Sequence, residues 1–406
     1  MALKCAIIST EMVPKKKIAV HIQSEVQFFT LEPLLKELKK QPYSVEIVTD
    51  IFENNESGYK EMAASVVQLI KKAGYNPKSL DSFKDTVFDA YLTPYIDNKV
   101  KSKCYLKYEY GTLNIKPNLT YIPAVMQEYH GFLCQSTITN NMLQVYGRTF
   151  PVDNLRFFGK KKKTVKREKP QVLFAPTYND VDTEDELVEI VKNLKKKYYV
   201  VVKGHHGTEF LKKNASKKQV LVDLADKYYG SEASLSNLIL ESDVCLFGNS
   251  SVIGEALYVG VPCAVATGDL DYFKLGDIHT TQFLFVRDGY IPYAKTAADV
   301  NKAIEAALSK KMIEKQKELS QKIFPKEYRT GVKGYLDVIN YFLYDEVAQD
   351  YLKLHDQNIE EKMTLKKELE QAKAKVEVLE DIEKRKLNRM AAKIYKLEGK
   401  IRHGKS

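Results

Sequence analysis

The chain has 406 residues, is 44% hydrophobic and 29% charged, and carries a formal net charge of +10. That length and apolar content suit two packed domains with an appendage. The positive excess is clumped at Lys160, Lys161, Lys162 and Lys163 with Lys166 and Arg167, and again beyond Glu383, while Trp is absent and no aromatic residues interleave these runs; this excludes a nucleic-acid-binding surface from the expected partners and leaves a solvated run or an anionic membrane surface.

The N-terminal stretch lacks an apolar signal core, and no apolar run in the chain approaches the roughly 18 to 20 residues that span a bilayer. The expectation is a cytoplasmic protein, its basic tail either solvated or in peripheral contact with the inner face of the membrane. Five cysteines, odd in number, far apart and set in apolar contexts, show no metal-ligand spacing and read as reduced core thiols.

From Lys17, "KIAVHIQSEVQFFTLEPLLKELKKQPYSVEIVTD" predicts a strand, a helix around Leu31 to Lys40 and a second strand ending at Asp50, a βαβ unit on a buried parallel sheet. Helix-like "YKEMAASVVQLIKKAG", strand-like "TVFDAYL" and "CYLKYEYG", and then "HGFLCQSTITNNMLQVYG" with "NLRFFGK" complete an α/β domain over residues 1–159. A basic linker, 160–170, interrupts the pattern.

A second α/β series fills 171–335, with strands predicted at "QVLFAP", "YYVVVKG", "QVLVDL", "DVCLFG", "PCAVAT" and "QFLFVR". Helices are predicted at Glu184–Lys197, Ser234–Glu241, Val252–Val259 and Ala297–Lys310. Two doubly wound domains in tandem place a ligand cleft between the C-terminal ends of their strands.

A connecting helix, 336–350, leads to a Gly-free and Pro-free segment within 351–406. Leu365, Leu369, Ala372, Val376 and Leu379, then Leu387, Met390, Ile394, Leu397 and Ile401, step by 3 and 4, with one step of eight between the two sets. This predicts a coiled coil with a stutter, and hence a homo-oligomer.

Chemistry concentrates where predicted strands end. In "LFGNSSVIGEALYVGVP", Gly248 allows close approach to the backbone and Asn249 tolerates a strained turn. Ser250, Ser251 and the N–H groups opening the next helix form a donor set suited to a phosphate, and Glu255 can reach a ribose hydroxyl or brace the loop. His205 closes a buried strand and can donate to a phosphate oxygen, whereas His206 would face differently. His21, Gln23, Ser24 and Glu25 follow the first strand and are expected to face the cleft, as are Lys116, Thr177 and Thr208. P-loop, zinc-peptidase and α/β-hydrolase motifs are missing.

The serine-rich segment resembles the nucleotide-sugar loop of GT-B enzymes, in which two Rossmann-like domains face one another. "GNSS....E" is similar to the loop of UDP-N-acetylglucosamine 2-epimerases. "SDVCLFGNSSVIGEALYVGVP", "VLFAPTYND" and "VVKGHHGTE" resemble segments of the CDP-glycerol glycerophosphotransferases of teichoic-acid synthesis. The chain departs from that pattern at Tyr110 before Gly111, at Asn179 and at "GKKKK".

Glu109-Tyr110-Gly111, His205-His206 and Ser250-Ser251 partly resemble the motifs of bacterial polysialyltransferases and related CMP-sugar transferases. That resemblance implies Glu109 as the base for an acceptor hydroxyl, with His205 and the serine loop holding the donor phosphate. The expected activity is transfer of a sugar from a CMP-, CDP- or UDP-linked donor to a cell-surface polysaccharide or glycolipid, with inversion and without a metal or other cofactor. Polyol-phosphate transfer, nucleotide-sugar epimerisation and a non-catalytic scaffold are the alternatives.

Overall fold

A computed structural model describes residues 15–49, 59–94, 100–109, 126–163, 166–176, 183–210, 214–230, 232–248, 250–266, 274–275, 278–279 and 281–403. The first compact unit ends at Gln349 and the second begins at Asp350.

In the first unit, seven strands form one parallel sheet: β1 (Lys16–His21), β2 (Tyr43–Thr49), β3 (Pro77–Ser79), β4 (Ala90–Thr93), β5 (Tyr105–Tyr108), β6 (Gly131–Cys134) and β7 (Arg148–Pro151), in the order β3-β2-β1-β4-β5-β6-β7. Six strands form the other: β8 (Gln171–Ala175), β9 (Tyr199–Lys203), β10 (Lys227–Tyr229), β11 (Val244–Phe247), β12 (Cys263–Ala266) and β13 (Tyr293–Ala294), in the order β10-β9-β8-β11-β12-β13. Every pairing within them is parallel. Both sheets reverse direction beside their first strand, which opens a crevice at the carboxyl ends of β1 and β4 and again at those of β8 and β11.

Strands such as "VLF" in β8 and "VCLF" in β11 are buried along their whole length, because helices cover both faces of the sheet and leave no polar side. Helix α1 (Glu25–Leu38) buries Phe28, Leu31, Leu34, Leu35 and Leu38, each contributing about 2 kcal/mol of apolar burial. Cys104, Cys134, Cys245 and Cys263 are free and buried, and Cys5 lies outside the described residues.

Two expected strands are helices. "QVLVDL" belongs to Ala215–Leu224 and "QFLFVR" to Thr281–Arg287. In the first, Leu221 is buried while Val222 is exposed, so the apolar run wraps a cylinder instead of alternating across a pleat. The sheet positions go instead to the short β10 and β13, too brief to register as a pattern.

Beyond the second sheet the chain returns to the first. The helix Gly331–Tyr344 seats Phe342 against β6 so closely that a Cβ on Gly131 would meet its ring at 2.9 Å. Phe150 packs edge-on against Phe342 with centroids 5.5 Å apart, and Tyr43 donates a hydrogen bond to Asn340.

The seam between the sheets is polar as well as apolar. Arg156, buried in the turn after β7, donates from Nε to Thr30 Oγ1 on α1 at 2.8 Å and from Nη1 to Glu255 Oε1 on the helix Ile253–Val259 of the second sheet. Asp153 accepts from the Tyr258 hydroxyl and, at 2.8 Å, from the Gly331 N–H, and Phe157 stacks on Tyr258 at 5.6 Å.

Arg156 and Glu255 are both buried, so removing one partner strands a charge. Arg156→Ala is expected to lower unfolding stability by about 3 to 5 kcal/mol, whereas the double replacement of Arg156 and Glu255 by Met recovers most of the loss. Urea denaturation of the single and double variants measures both.

Candidate active site

Along the carboxyl edge of the first sheet lie two polar groups. His21 ends β1, and its Nδ1 lies 2.9 Å from Thr93 Oγ1 at the end of β4. The ring is buried and stacks on Tyr91 at 5.9 Å, and its backbone carbonyl accepts from Tyr108 Oη at 2.5 Å. His21 was expected to face an open cleft; in this conformation it is packed inside the crevice. Ser24 caps α1, accepting from Gln27 N at 3.3 Å, and Gln23 N donates to the Gln27 side chain at 2.6 Å.

The second group centres on Glu109, directly after β5. Its Oε2 accepts from Gln135 N at 2.8 Å and from Thr139 Oγ1 at 3.0 Å, while Gln135 Nε2 donates to the Glu109 carbonyl at 2.8 Å. Thr139 lies on the helix Thr137–Leu143, capped by Ser136. Burial pushes the Glu109 carboxyl up from 4.5 to about 7, against the opposing pull of Lys107 and the two donors. Lys107 shares a strand face with Glu109 because side chains two apart point the same way. A carboxyl titrating there is suited to take and release a proton near neutrality.

On the second sheet β9 delivers Lys203, Gly204 and His205 to the carboxyl edge. The His205 carbonyl accepts from Thr208 N at 2.8 Å and Glu209 N at 3.0 Å, starting the short helix His206–Phe210. Thr208 is buried in that helix. Lys203 Nζ donates to the Gly204 carbonyl at 2.9 Å, and loss of water lowers its ammonium below the usual range despite the charges of Glu209, Glu232 and Glu25.

Glu25 begins α1 in the other half of the unit. Burial raises its carboxyl, offset by the Ser65 hydroxyl and the Lys203 charge. The charges of Glu25 and Lys203 thus act on one another, which puts the end of β9 within electrostatic reach of the start of α1. Tyr228 donates to Glu209, which also pairs with Lys218 at 2.9 Å. A Cβ at Gly204 would collide with both the Tyr228 hydroxyl and the Glu209 carboxylate.

The serine loop differs from the expected open donor set. Gly248 is buried at the end of β11, and Ser250 Oγ accepts from Val252 N at 3.3 Å, closing the turn before the helix Ile253–Val259. Ser251 is partly exposed, and its carbonyl accepts from Gly254 N at 3.0 Å. Of the two roles expected for Glu255, the brace is the one observed, with Oε1 held by Arg156; Oε2 is buried without a hydrogen-bond partner among the described residues. Thr177, Asn249, Tyr110 and Lys116 lie outside the described residues.

Sequence reading missed Lys203, Gln135 and Thr139. Their signal is present in "VVVKG" and "FLCQSTIT": a lysine or a polar cluster directly behind a buried strand.

These two facing parallel sheets, each reversing beside its first strand, define a GT-B fold. Compared with protein-family models and with curated proteins, the sequence matches none. Among solved structures the chain is similar to a Listeria monocytogenes protein described as a UDP-N-acetylglucosamine 2-epimerase, with a TM-score of 0.55, 12% identity and coverage of 82% of this chain and 97% of that one. It is also similar to S. aureus MnaA solved with UDP, with a TM-score of 0.54, 13% identity and coverage of 81% and 97%. The UDP-GlcNAc 2-epimerase of Neisseria meningitidis bound to UDP-GlcNAc gives a TM-score of 0.50 at 12% identity, with coverage of 80% and 99%. At these identities the likeness is one of fold. Among the described residues no helix is long and apolar enough to cross a membrane.

Two measurements check this site. The folded Glu109 carboxyl is raised above its ordinary 4.5 to about 7, so its contribution to stability is whole below the ordinary value and is lost as pH climbs through about 7, a change of about 3 kcal/mol. Unfolding free energies taken at about pH 4 and about pH 8 should differ less in Glu109→Gln than in the parent by about that amount. Gly204→Ala should push the Tyr228 hydroxyl and the Glu209 carboxylate aside, breaking their hydrogen bond, and lower the melting temperature through a loss of about 1 kcal/mol.

Proposed function

We propose that this protein is a GT-B transferase that moves a sugar from a nucleotide-activated donor to a polysaccharide or glycolipid acceptor, with inversion. The observation that carries the reading is the buried carboxyl at the carboxyl edge of the first sheet, pushed up to about 7, and it is supported by Lys203 and His205 at the carboxyl edge of the second.

In this reading Glu109 removes the proton of an acceptor hydroxyl as its oxygen bonds to the anomeric carbon. The bond from that carbon to the donor phosphate oxygen breaks, and the departing nucleotide carries the electron pair. His205 donates a hydrogen bond to the phosphate and Lys203 offsets its developing charge, both in a site partly withdrawn from water, where such interactions are strong. Thr177, Asn249, Ser250 and Ser251 complete the donor side, and Tyr110 and Lys116 the acceptor side.

A second reading, epimerisation of a nucleotide sugar, draws support from the UDP-GlcNAc 2-epimerases among the similar folds. Incubation with candidate donors separates the two: a transferase releases free nucleotide and extends an acceptor, an epimerase returns an isomeric nucleotide sugar, and a polyol-phosphate transferase releases CMP from a CDP-polyol.

Thermal-shift screening with CMP, CDP, UDP and GDP should show one that raises the melting temperature, by an amount equivalent to about 2.7 kcal/mol at roughly a hundred times its Kd. Glu109→Ala should then cut turnover about a hundredfold or more while leaving that shift intact. His205→Ala and Lys203→Ala should diminish the shift itself. Normal turnover in Glu109→Ala together with unchanged shifts in the other two would dismiss the assignment.

A further inference from the structure

The helix Glu346–His403 is unbroken over 58 residues, roughly 87 Å at its standard rise. From Asp350 onward it forms the second unit, and its sequence carries an apolar seam. Leu365, Leu369 and Val376 are 63%, 54% and 53% exposed, and Ala372 between them is exposed as well. Their spacing places Leu369 and Val376 at heptad position a, and Leu365 and Ala372 at d, one stripe along the helix.

The charges flanking the seam identify what covers it. Positions g are Glu361, Glu368 and Lys375, and positions e are Lys366, Lys373 and Glu380. In a parallel, in-register pair each g residue meets the e residue of the following heptad on the other copy. The meetings are Glu361 with Lys366, Glu368 with Lys373, and Lys375 with Glu380, opposite in sign every time.

The third pair reverses the order of the first two. A uniformly acidic or basic partner would suit some of these positions and repel the rest, whereas a second copy answers each reversal with its own. An antiparallel overlay that layers Leu369 on Ala372 brings Glu368 to Lys375 but also the like charges Lys366 and Lys373 together, whereas the parallel one opposes unlike charges at every position. All six charged side chains are exposed. Lys373 pairs with Glu370 on its own helix at 3.2 Å, with both side chains more than half exposed, a solvated contact readily exchanged.

We propose that residues 361–380 form a parallel, in-register, two-stranded coiled coil with a second copy of this chain. Val376 at a with Leu365 at d fits two strands. The helix continues through the step of eight between Leu379 and Leu387, as a four-residue stutter allows by local unwinding without a break.

Sedimentation equilibrium of the full chain should give twice the chain mass at micromolar concentration. Ala372→Cys, at d, should cross-link to its own copy under mild oxidation, while Ala374→Cys, on the outer face at f, and the parent chain should not. Lys366→Glu with Lys373→Glu should weaken the dimer roughly tenfold, and adding Glu361→Lys with Glu368→Lys should restore it. A monomeric parent, a dimer in which Ala372→Cys fails to cross-link, equal cross-linking at both positions, or charge reversals without effect would each overturn the proposal.

Discussion

The architecture of the first unit depends on a buried ion pair. Arg156 belongs to the turn that ends the first sheet, yet its guanidinium bonds Thr30 on the first helix and Glu255 on a helix of the second sheet. An isolated charge in that position would be prohibitive, so each partner requires the other. Because the donors of a guanidinium are planar and fixed, the pair constrains direction as well as distance. Asp153 adds to the same seam by accepting from Tyr258 and from the backbone of Gly331. Arg329 lies 3.6 Å from the centre of the Tyr258 ring and donates to its carbonyl at 2.9 Å, so the chain that returns to the first sheet is tied to the seam that holds the second.

That constraint places the chemistry. Parallel strands end on one edge of their sheet, and the polar residues that follow them cluster there without further design. Tying the two sheets through Arg156 and Asp153 turns the clusters toward one another, with Glu25 within electrostatic reach of Lys203. Loss of water then does similar work on both sides: it raises Glu109 and Glu25 and lowers Lys203. Each group is pushed toward its neutral form, which moves the carboxyls up and the ammonium down toward the neutral pH range.

Much of this was legible in the sequence because it rests on local pattern. The strands β1, β2, β8, β9, β11 and β12 are apolar runs between helical segments, and the tandem series implied a cleft. His205 could be picked out because it follows such a strand, whereas Glu109 was marked by the resemblance of Glu109-Tyr110-Gly111 to a motif of CMP-sugar transferases. What escaped was set by distant partners or by brevity. β10 and β13 have three and two residues, and "QVLVDL" has a strand's composition but a helix's burial. The Glu255 brace depends on Arg156, which is 99 positions away in the chain, and no local spacing reveals such a meeting. The Ser250 hydroxyl reads equally as a ligand donor or a turn cap, and its bond to Val252 N is a matter of geometry alone.

Two buried carboxyls, Glu109 and Glu255, separate architecture from titration. Burial raises both, but their partners differ in kind. Glu255 faces a permanent cation, so protonating it would leave Arg156 charged and unmatched inside the seam. Glu109 receives two neutral donors, both on one oxygen, and a proton arriving on its carboxyl abolishes no ion pair that holds the sheets together. Of the two, Glu109 can therefore change charge without breaking an ion pair between the sheets, whereas Glu255, matched to Arg156, holds the crevice in shape.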